Sequence, residues 1–181
     1  EAEELAKELV RENPQDVNAA LLLARLAIKA RCFKDAQEIL EKIIEVAPGF
    51  IAAWHDLSTV LKELHLYEEA VEILVKALDV DANNPLTHYY MGAALAMAAK
   101  PHDAIKSYQR AVELDPRLPG GHIGLGHVLK TVGDQAGGIE AYERAIELRP
   151  NYGETYYSLA NLKTFRFSSE QISSMETRLG N

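Results

Sequence analysis

Residues 51–84 read IAAWHDLSTVLKELHLYEEAVEILVKALDVDANN. Trp54, Leu57, Ser58 and Leu61 stand at i, i+3, i+4 and i+7, the stripe of an amphipathic helix. Ala70, Leu74, Ala77 and Leu78 make a second such stripe. Tyr67, Glu68 and Glu69 open that second helix with acid near its N-terminus, where the helix dipole favours negative charge. The stretch is two short helices and a turn. Neither helix is long enough to be stable alone in water, so each needs neighbours.

The chain supplies neighbours at a fixed interval. Pro14, Pro48, Pro116 and Pro150 lie on a 34-residue spacing, with Ala82 in the remaining slot. Ala24, Ser58, Gly92, Gly126 and Ala160 share that spacing. So do Ala2, Ala36, Ala70, Ala104 and Gly138, and again Leu9, Ile43, Ala77, Ala111 and Ala145. Where two helices cross closely, only a side chain of Gly, Ala or Ser size fits between the backbones. The prolines mark the turn after each second helix, because proline cannot continue it.

This pattern resembles the tetratricopeptide repeat. Its order of Trp, Leu, small, aromatic or Leu, Ala, aromatic, Ala and Pro is met by Trp54, Leu57, Ser58, Leu61, Ala70, Leu74, Ala77 and Ala82. The next unit repeats it as His88, Met91, Gly92, Leu95, Ala104, Tyr108, Ala111 and Pro116. The one after has His122, Leu125, Gly126, Leu129, Gly138, Tyr142, Ala145 and Pro150. The resemblance implies an all-α fold, a superhelix of antiparallel helix pairs. It divides the chain into the second helix of a truncated repeat (1–16), full repeats at 17–50, 51–84, 85–118 and 119–152, and a partial repeat with a closing or linker helix at 153–181.

Within that frame Asp35 is expected to cap the second helix of the first full unit, and Pro85 and Pro101 to open the two helices of the third. Seven of the eleven glycines fall in the fourth unit. Gly126 and Gly138 occupy small-residue slots and Gly133 lies in the turn. Gly120, Gly121, Gly124 and Gly137 read as a cost in helix stability, up to roughly 1 kcal/mol each against Ala. This unit is therefore expected to be the softest, a point of bending. After Phe165 the spacing fails. Ser168 and Gln171 make a capping-box pattern for a last helix over Ser169–Leu179, with Ile172 where the repeat would place alanine.

The chain of 181 residues is 48% hydrophobic and 25% charged, the composition of a globular protein. A formal net charge of −8 argues against nucleic acid and anionic lipid as partners, since both need a basic footprint. No apolar run approaches the roughly 18 residues needed to span a bilayer. No signal peptide is evident. The chain starts Glu-Ala-Glu-Glu without Met, so it is expected to be a piece of a longer protein; the expected location is cytoplasmic. The single Cys32 excludes an internal disulfide framework and reads as a small apolar filler at a helix–helix turn.

Catalytic chemistry finds little support. His88 and His122 occupy the slot of Trp54, which is packing, and His122 and His127 are five apart, the wrong spacing for a shared helical metal site. No strand precedes the Gly124-Leu125-Gly126 run and no phosphate loop follows it. There is no nucleophile elbow. Glu38, Glu41, Glu68, Glu69, Glu72 and Glu140 read as the solvated faces of second helices. No cofactor is expected in this stretch.

The resemblance implies that function lies on the concave wall, lined by the first helix of each pair. The family's inner-wall positions hold Leu21, Arg25 and Lys29, then His55, Thr59 and Lys62, then Leu86, Tyr89 and Ala93, then Ile123, His127 and Lys130, then Tyr157, Asn161 and Thr164. These are either plain exposed helix residues or a binding wall. Tyrosines and an arginine suit binding hot spots, so the expected partner is a protein or extended peptide bearing acidic and apolar groups. The clamp that grips acidic chaperone tails is absent, its slots holding Leu21, Arg25, Asp56, Leu86 and Tyr90. The asparagine ladder of the nuclear O-linked sugar transferase is absent too, with Leu22, Asp56, Tyr90, Gly124 and Ser158 there. Residues 156–168, YYSLANLKTFRFS, resemble the junction in bacterial proteins that join these repeats to a sulfotransferase domain. That resemblance implies a downstream catalytic domain binding phosphoadenosine phosphosulfate, and no such donor loop lies in these residues. The expected functions are a protein-binding module, the acceptor-selecting arm of that enzyme, or an assembly scaffold.

Overall fold

The computed structural model describes Asn13 and residues 16–162 and 165–179. Among these residues every regular element is helical: α1 (Val17–Lys29), α2 (Phe33–Val46), α3 (Ile51–Glu63), α4 (Tyr67–Val80), α5 (Pro85–Met97), α6 (Pro101–Leu114), α7 (Pro119–Thr131), α8 (Gln135–Leu148), α9 (Gly153–Ala160) and α10 (Ser169–Leu179). The second helix of the partial unit expected over 1–16 falls outside the described residues, Asn13 and Asp16 apart.

Local chemistry places the helix starts. The Asp16 carboxylate accepts from the backbone N–H groups of Asn18 and Ala19, and Asn84 accepts from that of Thr87. Pro85, Pro101 and Pro119 stand in the first turn of their helices, where a missing N–H costs nothing. Asp35 does not cap α2. That helix starts at Phe33 without a side-chain cap, and Asp35 stands inside its first turn, facing the dipole instead.

The turn inside each pair is the same in all four units, and it requires a left-handed residue. Arg31 (φ 62°), His65 (φ 62°), Ala99 (φ 56°) and Gly133 (φ 92°) recur at the repeat spacing. Each is followed by an N–H that bonds back five residues, as Cys32 does to the Ala27 carbonyl at 2.9 Å, closing the helix end. Only Gly133 adopts this conformation without a steric penalty.

The stack is held by paired volumes. Leu40, Leu74, Tyr108 and Tyr142 fill one slot of the second helices, and all are buried. Burying a leucine such as Leu74 is worth about 2 kcal/mol. The small slot of the first helix is matched to them: Ala24 and Ser58 accompany the leucines, Gly92 and Gly126 the tyrosines. A Cβ on Gly92 would stand 2.8 Å from the Tyr108 ring, and one on Gly126 would stand 2.7 Å from that of Tyr142. Four other glycines of the fourth unit are likewise filled. A Cβ on Gly124 would meet Tyr108 Cε1 at 2.4 Å, on Gly120 Tyr89 Cε2 at 3.1 Å, on Gly121 Val112 Cγ1 at 2.8 Å, and on Gly137 Asp134 Oδ2 at 2.7 Å. They are therefore not a bare cost, as expected from sequence. They make room for neighbours.

A second device repeats along the chain. Trp54 Nε1 donates to the Pro48 carbonyl at 2.8 Å, His88 Nε2 to that of Ala82 at 2.9 Å, His122 Nε2 to that of Pro116 at 3.1 Å, and Tyr156 Oη to that of Pro150 at 3.1 Å. Each first helix is thus tied to the turn before it. His88 and His122 are structural, as their slot implies. Cys32 lies at its expected turn but is exposed, so it fills nothing. Ala160 is exposed as well, because no second helix crosses α9 there. Leu162, Phe165 and Phe167 instead pack with Leu159 against Tyr142. α10 follows over the expected residues, with Ile172 44% exposed.

From α1 to α9 consecutive helices pack in sequence, and the first helices also touch one another: α1 on α3, α3 on α5, α5 on α7. They form a continuous wall, with the second helices behind it. Among the described residues no helix is long and apolar enough to cross a membrane.

Candidate functional site

The first-helix wall has two parts. In the N-terminal part, Arg25 Nε donates to Asp56 Oδ2 at 2.6 Å across the first and second units. The Arg25 side chain is 54% exposed, so it keeps a free flank toward a ligand. Tyr90 is the centre of this part. The His55 ring stacks on it at 4.6 Å, Lys62 Nζ lies 5.7 Å over it, and Tyr89 meets it edge-on at 5.3 Å. His55 and Thr87 Oγ1 share a buried 2.8 Å hydrogen bond. Burial pushes the His55 imidazole down to about 4, against the pull of Asp56, and lowers Lys62 against Glu63. Thr59 donates its hydroxyl to the His55 carbonyl at 3.1 Å.

Two expected wall residues are corrected here. Leu21 is only 6% exposed and belongs to the hydrophobic core. His55 is 7% exposed, sealed by Tyr90 and Thr87. It supports the wall and does not line it.

In the C-terminal part the wall opens into a cavity of about 330 Å³. Tyr89, Tyr108, Ile123 and His127 line it together with Gly120 and Gly124, whose missing side chains admit the Tyr89 and Tyr108 rings. Arg149, Tyr152 and Glu154 close its far side. Arg149 Cζ stacks 4.8 Å over the Tyr152 ring, and Tyr152 Oη donates to Glu154. That bond raises the Tyr152 phenol. Burial raises the Tyr108 hydroxyl, with Tyr89 adding to it, so it remains a proton donor. His127 is lowered by burial, and its Nδ1 pairs with Tyr142 Oη at 2.7 Å. Ile123 occupies, two units on, the slot of His55. Thr155, in the slot of Thr87, consequently has its Oγ1 buried without a partner among the described residues.

The sequence thus names three residues that the structure gathers around the cavity, Tyr89, Ile123 and His127; Lys62 lies instead over Tyr90 in the N-terminal part of the wall. Leu86 and Ala93 flank Tyr89 on α5. Lys29, Lys130, Tyr157 and Asn161 are exposed and stand apart from it, Tyr157 at 70%. Thr164 lies outside the described residues. Sequence reading missed Tyr108, Arg149 and Tyr152. Tyr108 sits in a packing slot of a second helix and the other two in a turn, so periodicity gave no sign that they reach the wall. The available signal was Tyr108 facing glycines in two units, Gly92 in its own and Gly124 in the next.

The comparisons agree with this architecture. Tetratricopeptide-repeat models match residues 1–61, 51–84, 85–118 and 121–152. The chain belongs to the tetratricopeptide-repeat family. A comparison with curated proteins finds no match. Among solved structures, the thermophilic repeat protein TTC0263 of Thermus thermophilus is 20% identical, covers 96% of this chain and 89% of its own, and superposes with a TM-score of 0.77. YrrB, described as having an unusual peptide-binding site, is 21% identical over 99% of this chain and 95% of its own, with a TM-score of 0.66. MamA from Desulfovibrio magneticus RS-1 is 20% identical over 83% and 85%, with a TM-score of 0.69. These likenesses concern the fold.

Proposed function

We propose that the chain is a non-catalytic protein-binding module that takes an extended peptide along the first-helix wall. The observation that carries this reading is the cavity floored by Tyr108 beside the Arg149 guanidinium. An apolar side chain of the peptide enters between Tyr89 and Ile123, and a neighbouring carboxylate meets Arg149. A second acidic residue meets the free flank of Arg25. Peptide binding by YrrB, a structural neighbour, is consistent with it. Selection from a displayed random-peptide library tests the reading. The expected consensus joins an apolar residue to acidic ones, and Arg25→Ala, Tyr89→Ala and Tyr157→Ala together weaken the selected peptides at least about tenfold. Undiminished binding by that triple variant rejects it.

The likeness of residues 156–168 to a sulfotransferase junction supports a second reading, in which this module selects the acceptor for a following catalytic domain. The packing of Leu162, Phe165 and Phe167 onto Tyr142 in place of a further helix pair fits an end of the solenoid there. Adenosine bisphosphate stabilising the full-length protein, and not residues 1–181, supports it. No stabilisation of the full-length protein removes it.

A further inference from the structure

Leu125 and Leu129 of α7 are only half-buried. Their counterparts in the two units before them are closed: Leu57 and Leu61 are 3% and 4% exposed, Met91 and Leu95 6% and 8%. The second-helix slots beside them have lost bulk. The position of Ile39, Ile73 and Ser107 holds Ala141, and that of Asp35, Glu69 and Asp103 holds Gly137. An opening of about 670 Å³ results between α6 and α8, on the side of the stack away from the wall, with Leu125 and Leu129 in its floor. Its rim is acidic: Asp134, Glu140, Glu143 and Glu147. Arg144 is the rim's basic residue and is engaged by Glu147 at 2.6 Å. Asp134 is turned to the Gly137 N–H at 3.0 Å. Glu140 and Glu143 form no ion pair among the described residues.

We infer that this crease is a second docking surface, separate from the peptide wall, for a basic amphipathic helix of a protein partner. The opening is larger than one side chain needs and falls in the range of real binding sites. Leu125 and Leu129 are one helical turn apart, the spacing at which a docked helix presents its own apolar residues. Leucine-sized side chains seat on that floor, and lysines or arginines beside them meet Glu140 and Glu143. Charge complementarity selects this occupant over an acidic or neutral helix.

The test uses a fluorescent helical peptide with Leu at i, i+3, i+4 and i+7 and Lys elsewhere, and a twin with Glu in place of Lys. Wild-type protein binds the first in an anisotropy titration and shifts the methyl resonances of Leu125 and Leu129. Glu140→Lys with Glu143→Lys weakens it at least about tenfold. Ala141→Ile, which restores the residue of the first and second units, closes the opening and removes binding. Tyr89→Ala leaves it unchanged, so failure of the wall and failure of the crease are told apart. Binding that survives Ala141→Ile or the double lysine variant, methyl shifts centred on Ile123, or equal binding of the Glu twin each overturns the inference.

Discussion

The second and fourth units use the same positions and fill them differently. In the second, Ser58 lies under Leu74, His55 is tied to Thr87, and Leu57 and Leu61 are closed over. In the fourth, Gly126 lies under Tyr142, Ile123 replaces the histidine, Thr155 is orphaned, and Leu125 and Leu129 are half-open. Both stack. What the repeat demands is a matched pair of volumes between first and second helix. Polar ties and full closure can be given up, and where they are, space opens on both sides of the wall.

The largest effect that can break this comparison comes from the pairing itself. Gly126→Ala places a Cβ 2.7 Å from the buried Tyr142 ring and is expected to cost about 3 kcal/mol in urea unfolding. Adding Tyr142→Leu rebuilds the Ala24–Leu40 pairing of the first unit and recovers at least half of that loss. Simple additivity of the two changes would show that volumes are not matched pairwise.

The next effect is a dependence on pH that belongs mainly to the second unit. His55 titrates near 6.5 when unfolded and near 4 when folded, so between those values the unfolded chain holds the extra proton. Stability therefore falls as pH drops through 6.5 toward 4, by on the order of 3 kcal/mol. His127, also lowered by burial, adds in the same direction. Thermal unfolding of His55→Gln is expected to show a flatter slope over that range.

Smaller effects sharpen the contrast. Thr87→Val strands the His55 nitrogen and is expected to cost about 1.5 kcal/mol, whereas Thr155→Val removes an unpaired buried hydroxyl and is expected to stabilise by up to about 1 kcal/mol. Two changes of the same sign would mean that the pair is not what separates the units. In the turns, where the units agree, Ala99→Gly relieves a left-handed alanine and should gain about 0.5–1 kcal/mol in the same assay.

The stack was legible because each unit packs mainly on its neighbours in sequence, so helix, turn and small-residue slots recur at one spacing. The four turn residues were not legible as such. Only Gly133 carries the mark of a left-handed conformation, and Arg31, His65 and Ala99 are forced into it by the helices on either side. The wall was half legible. Its positions follow from the repeat, but whether a side chain is open depends on what the next unit places against it. Thr87 and Tyr90 close His55, and Leu21 is buried in the core. The glycines of the fourth unit misled for the same reason, since their purpose is the size of Tyr89, Tyr108 and Val112 in the unit before.

The volume pairs Ala24–Leu40, Ser58–Leu74, Gly92–Tyr108 and Gly126–Tyr142 each lie inside a single repeat. The wall contacts Arg25–Asp56, His55–Thr87, Tyr89–Gly120 and Tyr108–Gly124 each cross from one repeat into the next. Each repeat accordingly carries the fit between its own two helices, while the fit to its neighbour is set separately by contacts such as Tyr108–Gly124. Its neighbours cannot be shuffled without breaking the contacts that build the proposed peptide wall. The order of the repeats, as much as their content, then fixes the fit: a permuted chain would set Tyr108 against a side chain where Gly124 now makes room.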